Sequence, residues 1–313
     1  MHWRASFCLG LSMALVGCYV ALAKPLVMLL GVFALAWIRF VVGVLAVPHW
    51  LRKPPEEPPL SWRLKGLLFL ESFLGNFLFS ICMLYGVSQT SALAAGIILS
   101  MLPIAVAWLS ALFLRETISH RLGWALFCAA AGMLLLNTTS ALASSQTSSV
   151  WGNALVLAAV FCEAAYAVIG KRLSTALSPR RITAMINLWG CVLMTPLAVW
   201  YWPDEDLGQL ALGTWAMVLF YGLAASVWSV WLWMTGLRHV TASQAGILTV
   251  MLPIAACLTG WALGEAPNAL QGVAMLLALG GVLLASIHAP GGASKTPRST
   301  QAGAEREKNN ISE

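Results

Sequence analysis

Two stretches of the sequence are nearly identical: residues 95–105 read AGIILSMLPIA, and residues 245–255 read AGILTVMLPIA. The same separation along the chain also pairs Gly86 with Gly236. Chance similarity between two apolar segments does not align glycine and proline in this way. The match therefore indicates an internal repeat.

The repeat extends in both directions from these stretches, with a one-residue gap on the C-terminal side. The further pairs are Ala92 with Ala242, Glu116 with Glu265, Gly123 with Gly272, Gly132 with Gly281, Tyr19 with Tyr166, Lys24 with Lys171 and Leu26 with Leu173. These pairs predict two copies of one unit, the first over residues 1–141 and the second over residues 142–288. Residues 289–313 remain as a separate tail.

The composition is that of a membrane protein. Of the 313 residues, 59% are hydrophobic and 10% are charged, and the mean hydropathy is +0.80. An average soluble domain has about 25% charged residues, so an ordinary soluble enzyme is excluded. The net charge of +6 does not indicate a nucleic-acid partner, because the basic residues are scattered among short loops and do not form one face.

Long uncharged runs, bounded by proline, glycine or charged residues, predict ten helices. A helix needs about 20 apolar residues to cross the lipid bilayer, and strands of a membrane barrel would instead alternate over about 10 residues. The predicted helices lie near residues 4–23, 26–48, 64–86, 90–114, 121–141, 150–170, 182–201, 210–235, 240–263 and 268–288. The predicted fold class is an all-α integral membrane protein with ten transmembrane helices.

Two polar segments interrupt the apolar pattern. Residues 52–65 contain four prolines and predict an extended surface loop. From residue 289 the sequence turns to Gly, Ser, Thr, Lys, Arg and Glu, which bury too little apolar area to fold. We therefore expect a disordered tail.

The distribution of Lys and Arg predicts the topology. Alternate loops carry nearly all the basic residues, the opposite loops contain only Lys24, and residues 142–149 and 202–209 contain none. Basic loops stay in the cytoplasm, so both termini are expected there. Five helices per copy then make the two repeats inverted. In the alternative, the first helix is a signal peptide that is cleaved after the Ala21-Leu22-Ala23 sequence.

Inverted repeats are a common architecture of secondary transporters, in which two similar halves expose a site near the bilayer midplane to either side in turn. Transport is therefore the leading hypothesis. The alternatives are a duplicated membrane scaffold without transport activity and a receptor that binds a metabolite without moving it.

The series Ala-x-x-Ala-Gly, Leu-Pro, Glu, Gly and Gly occurs in both copies and resembles the EamA domain of the drug/metabolite transporter superfamily. The resemblance covers about residues 1–288. It implies a ten-helix carrier of the bacterial inner membrane with a central cavity, commonly an exporter of amino acids or other small metabolites.

Three ionisable residues inside the predicted spans are candidates for substrate binding or proton coupling: Arg39, Glu163 and Glu71. A charge in the hydrocarbon layer costs roughly 2.5 to 3.5 kcal/mol on insertion scales, so such residues usually face a cavity. Arg39 would suit an anionic group, because arginine does not deprotonate. Glu163 is the better proton carrier. In the alternative, Arg39 pairs with a glutamate and only orients helices.

Other residues add a weaker set of candidates. Polar side chains that could line the cavity are Tyr19, Asn76, Tyr166 and Asn187, of which Asn187 holds the repeat position of Arg39. The mid-helix prolines Pro103 and Pro253 are expected to bend their helices, and Gly96 and Gly246 are expected to permit close helix packing. Glu116 and Glu265 are expected to cap neighbouring helix N-termini.

The sequence contains no sign of enzyme chemistry or of a cofactor. Its seven cysteines lie in predicted spans without the spacing of a metal site, so neither disulfides nor bound metal is expected. It lacks a phosphate-binding loop, which argues against ATP as the energy source. Its histidines lie near span ends and do not cluster. The expected partners are the lipid bilayer, a small-molecule substrate and, in a coupled transporter, protons.

Overall fold

The computed structural model describes residues 3–22, 24–55, 57, 59–141, 149–202, 211–262 and 269–286, and within them helices are joined by turns and loops without any strand. The helices are α1 Trp3–Leu22, α2 Lys24–Leu30, α3 Val32–Ala46, α4 Trp62–Ser72, α5 Phe79–Ser88, α6 Ala92–Leu99, α7 Leu102–Leu114, α8 His120–Ala141, α9 Val150–Ser174, α10 Pro179–Trp200, α11 Leu212–Leu223, α12 Ser229–Leu237, α13 Ala242–Leu248, α14 Met251–Ala262 and α15 Ala269–Ser286. The predicted tail, Glu265 and most of the loops near 142–149 and 202–209 lie outside the described residues.

Many of these helices are long and apolar enough to cross a membrane. Seven segments meet that criterion: Trp3–Val20, Trp62–Ser88, Ala94–Leu114, Val150–Ser174, Pro179–Trp200, Leu212–Leu237 and Ala242–Ala262. Three shorter apolar helices are Val32–Ala46, His120–Leu136 and Ala269–Leu284. The chain is therefore a multi-pass membrane protein. Ten spans and the inversion of the two repeats stay predictions.

Several predicted helices are interrupted. Gly31 has a φ of 71°, a conformation that glycine adopts easily, and it divides the helix predicted over 26–48 into α2 and α3. Two further breaks, at equivalent positions of the two repeats, separate α6 from α7 and α13 from α14.

The breaks change the role expected of the two prolines. Pro103 is the second residue of α7 and Pro253 is the third residue of α14. The first turn of a helix leaves its N–H groups without intrahelical acceptors, so proline fits there without loss of a hydrogen bond. The expectation of mid-helix kinks is therefore wrong in detail, because each proline begins a new helix after a break.

Two π-helical segments lie within the longest spans. Phe73–Leu78 joins α4 to α5, and Ala224–Trp228 joins α11 to α12. They occupy corresponding positions in the two repeats. A π-helical turn shifts the hydrogen-bond register and changes which carbonyls accept, which is why such turns are frequent at functional sites.

The two halves make reciprocal contacts. A Cβ at Gly86 would lie 2.8 Å from Val156, and one at Gly236 would lie 2.6 Å from Leu9. The alignment that pairs Tyr19 with Tyr166 also pairs Leu9 with Val156. Each half therefore offers a glycine of its third predicted span to the first span of the other half.

The last helices of the two halves repeat this pattern. A Cβ at Gly132 of α8 would lie 2.7 Å from Ala278, and one at Gly281 of α15 would lie 2.9 Å from the backbone nitrogen of Ala129. Only glycine permits such close approach of two helices. The largest apolar core likewise draws on both halves, with Leu9, Val106, Val160, Met234 and Leu248 among its buried members.

Candidate functional site

Arg39 lies midway along α3, and its guanidinium lies between the two π-helical segments. Nη1 donates to the Ala225 carbonyl at 3.5 Å, and Nη2 donates to Asn76 Oδ1 at 3.4 Å. The carbon Cζ lies 4.1 Å from the centre of the Phe40 ring. Both hydrogen bonds are at the long end of the usual range, and a guanidinium has five N–H donors. Within the described residues Arg39 has no ion pair, so most of its donor capacity is available to a ligand.

Glu163 of α9 is half-buried and likewise forms no ion pair within the described part of the chain. It lies close enough to Arg39 for the two charges to interact. Tyr166, three residues further along α9, shares its helix face and interacts with both charges. The structure thus brings an arginine and a glutamate to the same polar cluster without an ion pair between them in the described part of the chain.

Two further tyrosines complete this cluster. Tyr19 of α1 and Tyr221 of α11 meet edge to face, with ring centres 5.4 Å apart. Both lie within electrostatic range of Arg39. Sequence reasoning missed Tyr221, because a tyrosine within an apolar span carries no charge that marks it.

A cavity of about 250 Å³ adjoins the cluster through these two tyrosines. Its other lining residues are Leu26, Ala216, Met217 and Phe220. The cavity is therefore lined by apolar side chains together with the rings of Tyr19 and Tyr221. Such a lining suits the carbon skeleton of a small ligand.

Asn76 supports Arg39 and continues a chain of hydrogen bonds. Its Nδ2 donates to Ser72 Oγ at 3.4 Å, and Ser72 Oγ donates to the Ile186 carbonyl of α10 at 3.1 Å. The guanidinium is in this way connected to two further spans. The hydrogen bonds fix where Asn76 presents its oxygen.

Asn187 occupies a tighter environment than the sequence suggested. It is 1% exposed, and its Nδ2 donates to the carbonyls of Thr183 and Ser226 at 2.8 and 2.7 Å. A Cβ at Gly43 would lie 2.7 Å from its Oδ1. These are the contacts of a residue that holds α10 against α3 and the second π-helical segment. A role in substrate contact stays a prediction.

Glu71 lies apart from Arg39, in a crevice where α4 crosses α9. It is 0% exposed, and neither carboxyl oxygen has a hydrogen-bond partner among the described residues. The helix crossing encloses this carboxyl.

The expected packing and capping residues occupy several helix junctions. A Cβ at Gly246 would lie 3.0 Å from Val106 of α7, and Gly96 is buried in α6. Glu116 accepts hydrogen bonds from the backbone N–H groups of Ala242 and Ser243 at 2.8 and 3.1 Å. Glu116 therefore caps α13, as the sequence predicted.

The Pro-rich loop is fixed to the second half by an ion pair. Arg181 Nη1 lies 2.7 Å from Glu57 Oε2, and both side chains are 9% exposed. The Ser178 N–H donates to Glu57 Oε1 at 2.7 Å. Burial acts to raise the pKa of Glu57, but the hydrogen bonds from Ser178 and Arg181 outweigh burial and hold the pKa below its usual value. The predicted extended surface loop over 52–65 is thus anchored, and α4 begins within it at Trp62.

Comparison with known proteins adds a family to this geometry. The model of a family described as EamA-like transporters matches residues 3–138 and again residues 150–287. YetK of Bacillus subtilis strain 168, named an uncharacterized transporter, is 31% identical over 282 residues, which cover 89% of this chain and 86% of the relative. YyaM of the same organism, also named an uncharacterized transporter, is 24% identical and covers 68% of this chain and 70% of its own length.

A more distant relative and a solved structure extend the comparison. An uncharacterized transporter of Archaeoglobus fulgidus is 25% identical over 85% of this chain and 92% of its own length. A crystal structure superimposes with a TM-score of 0.74 at 18% identity, over 91% of this chain and 97% of the other. At that identity the superposition shows a shared fold.

Proposed function

Because the chain belongs to the EamA-like transporter family of the drug/metabolite transporter superfamily, we propose that it is a secondary carrier that exports a small, polar, amino acid-like metabolite across the bacterial inner membrane. The family, the apolar spans and the lipid partner are established above. The substrate, the direction and the coupling ion form the proposal.

The observation that carries this proposal is that Arg39 and Glu163 share one polar cluster and form no ion pair within the described residues. A substrate carboxylate would accept hydrogen bonds from Arg39, whose planar guanidinium can bind both carboxylate oxygens at once. A substrate ammonium would be attracted to Glu163. The apolar wall of the neighbouring cavity would receive the carbon skeleton. A zwitterion therefore fits better than a sugar or a simple anion.

The proposed mechanism is alternating access between two inverted five-helix halves. The reciprocal glycine contacts support it, because equivalent residues touch across an interface only when a two-fold axis relates the halves. With five spans each and basic loops on one side, that axis would lie in the membrane plane and both termini in the cytoplasm. The breaks before Pro103 and Pro253 are the proposed bending points.

Proton coupling would arise at Glu163. If the substrate ammonium and a proton compete for this carboxylate, an inward proton gradient drives outward substrate movement. Glu163→Gln then abolishes the response of transport to a pH gradient while the protein stays folded. An unchanged pH response in this variant removes Glu163 from coupling.

Competition by blocked substrates tests the binding site. Purified protein in proteoliposomes is first screened for counterflow with amino acids, organic acids and sugar derivatives. The active compound is then compared with its methyl ester and its N-acetyl derivative, each of which removes one charge. We expect both derivatives to compete poorly; equal competition by either derivative would exclude recognition of that charge.

A further inference from the structure

The crevice around Glu71 is formed by two helices that cross at glycines. A Cβ at Gly170 of α9 would lie 2.7 Å from Glu71 Oε1, with Met234 and Leu237 of α12 the next nearest. One turn along, a Cβ at Gly75 would lie 2.4 Å from the Tyr166 ring. Glu71 thus packs over Gly170 while Tyr166 packs over Gly75, and the two contacts together close the crevice.

No neighbouring group in the described structure compensates a negative charge on Glu71. Both carboxyl oxygens are buried without a hydrogen-bond partner. On α9, the titratable side chain that interacts with Glu71 is Tyr166. Lys171 of the same helix instead donates hydrogen bonds to the carbonyls of Leu237 and Arg238 at 2.9 and 3.2 Å. The contacts from α12 are apolar, and α10 contributes the Ile186 carbonyl, which accepts from Ser72.

An ionised carboxylate in such surroundings would cost several kcal/mol of desolvation, which the neutral acid largely avoids. The enclosure of Glu71 therefore favours the neutral acid in this conformation. The crevice would admit water if α4 and α9 moved apart, and the acid could then release its proton. Binding of that proton is in this way coupled to a conformation.

Tyr166 connects this crevice to the candidate substrate site. Glu163, Tyr166 and Gly170 follow one another at helical spacing on one face of α9. Tyr166 lies within electrostatic range of both Glu163 and Glu71. Its hydroxyl can accept and donate a hydrogen bond. Neither Glu71 oxygen has a hydrogen-bond partner among the described residues, so the hydroxyl can pass a proton between the two carboxyl groups only after α4 and α9 move relative to each other.

We propose that Glu71 is a second proton-binding site of the carrier and is protonated in the present conformation. The proton reaches Glu71 from the Glu163 side, past the Tyr166 hydroxyl. It leaves on the Trp62 side of α4 when the crevice opens. The Trp62 side of α4 faces the cytoplasm in the topology of the proposed function, and the direction of proton release rests on that function. The protonation of Glu71 does not rest on it and is measured without any substrate.

Infrared spectroscopy of the purified full-length protein in lipid vesicles at neutral pH tests this proposal. We expect the carbonyl band of protonated carboxylic acids to lose one component in Glu71→Gln and to be unchanged in Glu57→Gln, because Glu57 is ionised and paired with Arg181. In deuterated buffer, Tyr166→Phe should slow exchange of the Glu71 component severalfold. If Glu71→Gln does not fold, Glu71→Asp keeps the acid and should shift the same component.

Two results would overturn the proposal. If the protonated-acid band of the Glu71 variants is the same as that of the wild type, Glu71 is ionised. Exchange as fast in Tyr166→Phe as in the wild type removes the tyrosine from the pathway. Failure of the proposed transport function is distinguishable, because it would abolish counterflow and leave these spectra unchanged.

Discussion

The guanidinium of Arg39 forms only long hydrogen bonds, although a cation inside an apolar span needs strong ones to compensate its charge. Its acceptors, the Ala225 carbonyl and Asn76, lie at 3.5 and 3.4 Å. A charge inside the membrane costs roughly 2.5 to 3.5 kcal/mol to insert, and two long hydrogen bonds offset only part of this cost. A bound carboxylate would accept further hydrogen bonds from the guanidinium. The two long hydrogen bonds therefore favour anion recognition at Arg39.

Replacement of Arg39 should therefore weaken substrate binding. Each hydrogen bond to a charged group contributes about 1.5 to 3 kcal/mol, so Arg39→Gln should raise the apparent Km by about 10- to 100-fold. The concentration dependence of counterflow measures this change. Arg172→Gln, at an exposed position of α9, is the matched control and should transport normally. A wild-type Km in Arg39→Gln would remove Arg39 from the site.

Single residues could be predicted from the sequence where charge marks them. Arg39 and Glu163 were selected because they interrupt apolar runs, and the structure places them in one cluster. Tyr221 carries no such mark, and its position beside Tyr19 follows only from how α11 packs against α1. The enclosure of Glu71 was not predictable either, since it depends on glycines of a distant helix.

At the scale of elements, the crossing of the first π-helical segment with α9 depends on the absence of a side chain at Gly75. Gly75→Ala would place its Cβ 2.4 Å from Tyr166. Overpacking of this kind costs about 1 to 3 kcal/mol, so the variant should unfold at a lower temperature.

Thermal unfolding in detergent, followed by tryptophan fluorescence, measures the effect of Gly75→Ala. Gly66→Ala is the control within the same span, because its Cβ meets nothing within 4 Å. This control should be neutral or stabilised by up to about 1 kcal/mol through helix propensity. Equal stability of the two variants would contradict the tight crossing.

The contact between the Pro-rich loop and α10 should make stability depend on acid. The pKa of Glu57 is lower in the folded protein than in an unfolded chain, so its pairing with Arg181 stabilises the fold at neutral pH. That contribution is lost as the pH falls through the folded pKa, below the usual glutamate value of about 4.3.

Glu57→Gln should accordingly unfold at a lower temperature at pH 7 and show a smaller further loss in acid than the wild type. Melting curves at neutral pH and near pH 3, well below the usual glutamate pKa, compare the two proteins. Arg63→Gln, at an exposed position of α4, should behave as the wild type does. If Glu57→Gln melts as the wild type does at pH 7, the ion pair does not hold the loop.

The positions of the helices were predictable because apolar runs in a membrane protein have little alternative to helix. The breaks before α7 and α14 and the two π-helical segments were not. They change the backbone hydrogen-bond register and leave the hydropathy of the sequence unchanged. The short α2 was missed for a similar reason, since Gly31 resembles any other glycine in an apolar run.

At the scale of the whole molecule, the repeat is the feature that the sequence revealed most clearly, and the proposed inverted arrangement makes a prediction for the two ends of α9. Val150 is 87% exposed at its start, and Thr175 is exposed just after its end. A membrane-impermeant maleimide added to intact cells should label Val150→Cys. Thr175→Cys should react only after the membrane is permeabilised.

The labelling is read against the wild type, whose seven cysteines account for any background. The reverse labelling pattern would show that the chain has the opposite orientation in the membrane. Labelling of both variants in intact cells would place both ends of α9 outside and exclude α9 as a span.

Counterflow by the purified protein in proteoliposomes tests the central claim most directly. Vesicles loaded separately with amino acids, organic acids and sugar derivatives are supplied with a trace of the labelled compound outside. A secondary carrier with the site described here should accumulate an amino acid-like compound transiently and saturably, and Arg39→Gln should lose this at low substrate concentration. Correctly folded protein that exchanges none of these compounds faster than protein-free vesicles would contradict the account and favour a receptor or scaffold.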